Sequence, residues 1–298
     1  MAKIITDLSA SKLRILVYGN AGTGKTRFAG SAALFEPTAP ALMLTIGGNP
    51  ISLQDYPQKP VVIEIESLRD FNDVYDWLYQ GQPVSHPYGQ VMQPLVGAQK
   101  FLTLIIDGAT EVNNKVWRVI MGRSESDPDF AKIGGTEIDP RKFQDNLATM
   151  AYWGSLFFEL AAMHNKHPLN VIVTALEREP AIDFRSAKAR AEGADGPTQR
   201  AQKFRPAFIG QAGGSMESYA YITGRMVPVV EFDPVQQRKL GVRKQLGGLV
   251  PDAWNVMVTV QSDEWIAKDQ YGKLGGFVVD PTVAKIWERI YGRENTPL

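Results

Sequence analysis

The chain has 298 residues, 44% hydrophobic and 21% charged, the make-up of an ordinary globular protein and enough for one large α/β domain or one domain with an appendage. Lys plus Arg total 32, Asp plus Glu total 32, and cysteine is absent, which excludes disulfides, thiolate metal sites and a uniformly basic, nucleic-acid-coating surface. No run approaches the ~20 apolar residues of a membrane-spanning helix, and Met1-Ala2-Lys3-Ile4-Ile5-Thr6-Asp7 lacks the apolar core of a secretory signal, so the expectation is a cytoplasmic protein with no membrane partner.

In chain order, Leu13-Arg14-Ile15-Leu16-Val17-Tyr18 is a short apolar run that predicts a buried strand. Gly19-Asn20-Ala21-Gly22-Thr23-Gly24-Lys25-Thr26 follows directly and fits G-x-x-x-x-G-K-[ST] without a mismatch. Residues 27–34 are Ala-rich and predict a helix, which completes the strand–loop–helix context of that motif, and Arg27 at its start joins residues 19–26 as a nucleotide-binding candidate. The chemistry follows from the residue types: glycines let successive N–H groups turn toward phosphate oxygens, and a helix N-terminus adds its dipole. Lys25 is placed to reach the β- and γ-phosphates of ATP and the Thr26 hydroxyl to ligate Mg²⁺.

Residues 41–46 and 61–65 predict two further strands, with Gly47-Gly48-Asn49-Pro50 turning the chain after the first. Ser67 is a candidate cap for a helix over 68–79, in which Leu68, Phe71, Val74, Tyr75 and Leu78 recur at helical spacing. Residues 101–107 form another apolar run that ends in Asp107, a strand-end carboxylate of the kind a Mg²⁺ shell beside a phosphate loop requires. Gly108-Ala109-Thr110-Glu111 then leads into a predicted helix over 112–121. A long helical stretch covers 143–164, and residues 169–176 predict a strand carrying Thr174 near its end. Residues 219–230 supply one more strand. Alternating strands and helices predict a mostly parallel sheet with helices on both faces. Ligands in such sheets bind beyond the carboxyl ends of the strands, where Gly19, Asp107 and Thr174 all fall.

Several blocks together are similar to the RecA-like phage P-loop ATPases, the group that includes the Sak-type single-strand annealing proteins. Beyond the glycine-rich loop, Asp107-Gly108-Ala109-Thr110-Glu111 resembles the group's metal-site strand end. Tyr152-Trp153-Gly154 with the later Asn170-Val171-Ile172-Val173-Thr174-Ala175 resembles its helix and sensor strand, and Ala267-Lys268-Asp269-Gln270-Tyr271-Gly272-Lys273-Leu274 resembles its late hairpin. The resemblance implies a single RecA-like domain over 1–298, with C-terminal strands, a late antiparallel hairpin and a terminal helix over 228–298. It also implies an ATPase of DNA recombination or single-strand annealing that associates with itself as a ring or filament, with single-stranded DNA and a single-strand-binding protein as partners. Thr174 would be a γ-phosphate sensor, and Lys268 a basic finger toward a neighbour's nucleotide.

Two departures bear on turnover. The group's water-activating carboxylate follows the strand after the first helix, where this chain has Thr45-Ile46, and its hairpin arginine is replaced by Gln270. Glu64, Glu66, Glu111 and Glu177 are the alternative bases. Nucleotide binding is therefore better supported than hydrolysis, and an NTP-driven ring motor and a weakly hydrolysing structural protein stand as alternatives.

For nucleic acid, the candidate is a flexible basic loop over 180–206 with Arg185, Lys188, Arg190, Arg200, Lys203 and Arg205, and with Phe184 and Phe204 as stacking faces. The acidic stretch 122–142 and a basic hairpin over 236–244 are weaker candidates. His86, His164 and His167 lack metal-ligand spacing and are expected as caps or surface groups.

Overall fold

The computed structural model describes residues 12–46, 48, 50–120, 155–156, 158–162, 166–178, 203–208, 212–228, 255–263 and 265–292. The chain builds β1 (Arg14–Gly19), α1 (Lys25–Gly30), β2 (Ala41–Thr45), β3 (Val61–Glu64), α2 (Leu68–Tyr79), α3 (Pro87–Val96), β4 (Thr103–Asp107) and α4 (Ala109–Ile120). The later elements are β5 (Asn170–Arg178), β6 (Arg205–Pro206), α5 (Ala212–Tyr219), β7 (Ile222–Pro228), β8 (Asn255–Val258), β9 (Lys268–Asp269), β10 (Phe277–Val279) and α6 (Val283–Tyr291).

These strands form one sheet in the order β10-β8-β7-β1-β5-β4-β2-β3, with β6 added to β5 and β9 to β7. From β7 to β3 every neighbour is parallel, whereas β8, β9 and β10 join antiparallel. The result is an α/β protein with a mostly parallel sheet, as the alternating pattern predicts. Both faces are covered because side chains alternate along each strand. Leu16, Leu44, Leu104, Ile106, Val171 and Val173 pack with Phe71, Val74 and Leu78 of α2, Met92 of α3 and Met216 of α5. Their sequence neighbours Ile15, Val17, Met43, Ile105 and Ile172 pack on the other face, against Phe28 and Ala29 of α1 and Ile286 and Ile290 of α6. Burying a Leu, Ile or Phe side chain contributes about 1.5–3 kcal/mol, and both layers depend on that alternation.

Most element bounds agree with the sequence within a few residues, and the differences have local causes. The first helix starts at Lys25 and tightens into a 3₁₀ turn at Ser31–Leu34, where the Ser31 hydroxyl donates to the Phe28 carbonyl at 2.6 Å and competes with the helical ladder. The helix after Asp107 starts at Ala109 rather than at 112, because Gly108 turns the chain at φ +90°. Ser67 does cap α2, in a reciprocal capping box with Asp70. His86 accepts the Tyr88 N–H at the start of α3, and His167 meets the Phe101 carbonyl at 2.9 Å.

The late segment is organised differently from a hairpin. β9 pairs with β7, while β10 pairs with β8. The Asp269 carboxylate accepts the N–H groups of Tyr271 and Leu274, and so carries the chain through a turn from one strand system to the other. The 122–142 segment and the 236–244 hairpin lie outside the described residues, as do His164 and most of the 143–164 helix. No helix among the described residues is long and apolar enough to cross a membrane.

Candidate functional site

β1 sits between β5 and β7, and its carboxyl end releases the chain into the glycine-rich loop. The loop runs close to its neighbours. A Cβ on Gly19 would lie 2.4 Å from the Met226 carbonyl oxygen. Gly24 holds φ +83° and a Cβ there would lie 2.6 Å from the Asn255 amide nitrogen, so side chains are excluded at both positions. Thr23, buried, donates to the Asn20 carbonyl at 2.8 Å. The Lys25 ammonium folds over the loop and donates to the carbonyls of Gly19 at 2.9 Å and Asn20 at 2.6 Å. Burial lowers the Lys25 pKa, and the carboxylates of Asp107, Glu111 and Glu177 act against that shift. No side chain caps the first turn of α1, which leaves its N–H groups as donors toward the loop mouth.

The parallel register brings the other groups to the same height. Thr45 on β2 lies opposite Asp107 on β4, and β5 runs beside β4. The Asp107 carboxylate accepts the Thr26 hydroxyl, 2.9 Å from Oδ2, and the Thr174 hydroxyl, 2.6 Å from Oδ1. Thr174 in turn accepts the Gly108 N–H at 3.1 Å. Ala21, Gly22, Lys25, Thr26, Asp107 and Thr174 line a cleft of about 790 Å³, together with Thr45, Gly108, Glu111, Asn114 and Lys115. That volume falls in the range of small-molecule sites.

Among the described residues no group of three or more His, Cys, Asp or Glu side chains is gathered to hold a metal. The oxygens of Thr26 and Asp107 are hard donors that adjoin each other across α1 and β4. A hydroxyl and a carboxylate suit Mg²⁺, which usually retains waters and takes its remaining ligands from a bound phosphate rather than from a protein cage.

Several sequence candidates are placed elsewhere. Arg27 does not line the cleft: its guanidinium meets both Asp55 oxygens at 3.0 Å, donates to the Ser52 carbonyl and lies over the Tyr56 ring. The Glu177 side chain, 1% exposed, is bound by Arg225 through two hydrogen bonds of 2.6 and 3.0 Å, so it is not a free base. Glu64 and Glu66 do not line the cleft either, which leaves Glu111 of the four.

Lys268 caps the end of α5, donating to the carbonyls of Glu217, Ser218 and Ala220. Burial lowers its pKa, opposed by Glu217. As a finger toward a neighbour it would have to leave all three carbonyls.

Arg185, Lys188, Arg190 and Arg200 lie outside the described residues, as does Phe184. The described end of that loop is internally engaged. Lys203 donates to the Ser262 carbonyl, Arg205 pairs with Glu217 at 3.4 Å, and the Phe204 ring lies under the Arg225 guanidinium at 4.3 Å.

Residues that sequence reasoning did not select are Thr45, Asn114, Lys115, Asn255 and Arg225. Asn114 and Lys115 follow Glu111 at helical spacing and so share its face, a signal the sequence does carry once α4 is known to start at Ala109. Arg225 gives no local signal, because its partner is 48 residues away.

No protein-family model matches the chain, and no curated protein matches it. The fold and cleft define an α/β protein with a polar site at the carboxyl ends of parallel strands.

Proposed function

We propose that this chain binds a nucleoside triphosphate, ATP in the first instance, with Mg²⁺ in the cleft below residues 19–26. The observation that carries this reading is the Thr26–Asp107–Thr174 arrangement, two threonine hydroxyls from α1 and β5 donated to one carboxylate beside a complete G-x-x-x-x-G-K-[ST] loop. Loop N–H groups and Lys25 take the phosphate oxygens, with Lys25 exchanging its two loop carbonyls for them. Thr26 and Asp107 hold the Mg²⁺, which neutralises phosphate charge when bound. Thr174 donates its hydroxyl proton to Asp107 Oδ1 and so orients the carboxylate that would hold the Mg²⁺.

On the resemblance to RecA-like phage P-loop proteins, we assign this nucleotide site to a protein of DNA recombination or single-strand annealing. It would act as a self-associating assembly on single-stranded DNA, alongside a single-strand-binding protein. The support for the DNA half is the local excess of basic residues in 180–206 on an otherwise neutral chain. Fluorescent ATP titrated with Mg²⁺ tests the nucleotide half. A gel shift of a single-stranded oligonucleotide at low salt, with and without Mg²⁺ and ATP, tests the DNA half. Saturable nucleotide binding with no shift in either condition would remove the DNA half and leave the nucleotide site standing.

A further inference from the structure

The amino-terminal end of the sheet carries cations that the nucleotide site does not use. Lys12 stands two residues before β1, Lys100 three before β4, and Lys166 and His167 four and three before β5. The order β1-β5-β4 makes these three strand ends neighbours, and the register holds them level, with Arg14 opposite Val171 and Thr103 opposite Asn170. Asn170 fastens the three together: its side chain accepts the Leu13 N–H at 3.1 Å and donates to the Leu102 carbonyl at 3.1 Å. Lys100 donates to the Gly81 carbonyl at 2.9 Å, and a Cβ on that same Gly81 would lie 2.9 Å from Lys166 Cβ and 3.9 Å from His167 Cβ. His167 Nε2 meets the carbonyl of Phe101, the residue after Lys100, at 2.9 Å.

No carboxylate pairs with these lysines among the described residues: Lys12, Lys100 and Lys166 enter none of the ion pairs there. Lys100 and Lys166 are exposed, and Lys12 is half-buried. Burial lowers the pKa of both Lys12 and His167, and at His167 the charges of Lys100 and Lys12 add to the lowering. Like charges left together repel, so the row is at its most stable with an anion beside it. Strands about 4.8 Å apart spread it over roughly 10 Å, the span of about three phosphates along one strand of a nucleic acid. Cations carried on three separate strand ends suit an extended polyanion better than one small ion.

Resting on the DNA half of the reading above, we infer that Lys12, Lys100 and Lys166, flanked by His167, form a second nucleic-acid contact that takes the phosphate backbone of a single strand. Phosphate contacts carry no base information, so this surface binds without regard to sequence. It lies at the opposite end of the strands from the glycine-rich loop, roughly 20 Å away along the six residues of β1. None of its residues lines the nucleotide cleft, so it acts without ATP or Mg²⁺.

Lysine acetylation read by mass spectrometry tests this on the unaltered protein, at low salt and without nucleotide. A saturating single-stranded oligonucleotide is expected to slow labelling of Lys100 and Lys166 several-fold, while Lys285, exposed on α6, keeps its rate. The double variant Lys100→Gln/Lys166→Gln should bind the oligonucleotide about 10–100-fold more weakly at 50 mM salt. Its slope of log K against log salt should be shallower by about 1.4, two contacts at about 0.7 each. If that variant does not fold, Lys166→Glu, a single exposed change, replaces it and is expected to weaken binding in the same direction. Unchanged labelling of both lysines, an unchanged salt slope, or equal protection by inorganic phosphate at matched ionic strength overturns the inference. Where binding is lost instead on neutralising Arg185, Lys188, Arg190 and Arg200, the DNA half of the reading stands without this contact. No oligonucleotide binding by the unaltered protein overturns that half and this contact with it.

Discussion

The Arg225–Glu177 pair offers the sharpest stability test. Tyr18 and Arg225 are register partners on β1 and β7, so the pair lies beside the last residue before the glycine-rich loop. The side chains of Glu177 and Arg225 are 1% and 12% exposed, and the guanidinium also lies over the rings of Phe204 and Trp265 at 4.3 and 5.5 Å. Arg225→Met preserves most of the buried stem and strands the Glu177 carboxylate. Breaking a buried pair in this way costs about 3–5 kcal/mol. With a urea dependence of about 3 kcal/mol per molar, the midpoint should fall by roughly 1 M. Glu177→Gln should cost less, because an amide is cheaper to bury than a charge. The double variant should be clearly more stable than the sum of the singles predicts, since it removes both charges together. The assay is urea unfolding of the four proteins followed by circular dichroism. A single-variant loss under about 1 kcal/mol, or simple additivity, would refute the assignment of this pair as a buried clamp.

Two further outcomes follow from other contacts. Lys268→Ala should lower stability by about 1–2 kcal/mol through loss of its carbonyl contacts at the end of α5, measured by thermal melting, and mixing it with intact subunits should not depress their nucleotide turnover as loss of a finger would. His167 should make stability fall in mild acid. Burial lowers its pKa below 6.5, the Phe101 carbonyl bond acts against that, and Lys100 and Lys12 add to the lowering. Between that lowered value and 6.5 the unfolded chain binds a proton the folded chain resists, so stability present above 6.5 is lost as pH falls through this window. His167→Gln should flatten that slope in urea midpoints measured across the same pH range.

The parts of this fold that were legible in the sequence are those written in local pattern. The strand before Gly19, the strand ending in Asp107 and the capped helix at Ser67 each carry their own period or motif, and each forms. α3 was not legible, because Pro87, Gly89 and Pro94 weaken any helical signal, and its formation depends on packing Met92 into the core. α5 is similar, with Gly213 and Gly214 in its first turns. At the site, Asp107 and Thr174 could be placed from strand ends alone. The choice among four glutamates could not, since it depends on a long-range pair that occupies Glu177 and on the early start of α4 that carries Glu111 over Gly108. Arg27 illustrates the converse: adjacency to the motif suggested the ligand, whereas the first turn of α1 points it at Asp55.

The proposed triphosphate and Mg²⁺ site comprises residues 19–26 and Asp107. Titration calorimetry of ATP with Mg²⁺ tests it most directly, using the unaltered protein, Lys25→Ala and Asp107→Asn. One site per chain is expected on the unaltered protein. Affinity should fall about 10–100-fold for Lys25→Ala, the loss of charge-assisted hydrogen bonds to phosphate, and the Mg²⁺ dependence should be lost in Asp107→Asn. No binding to the unaltered protein, or unchanged affinity in Lys25→Ala, would contradict it.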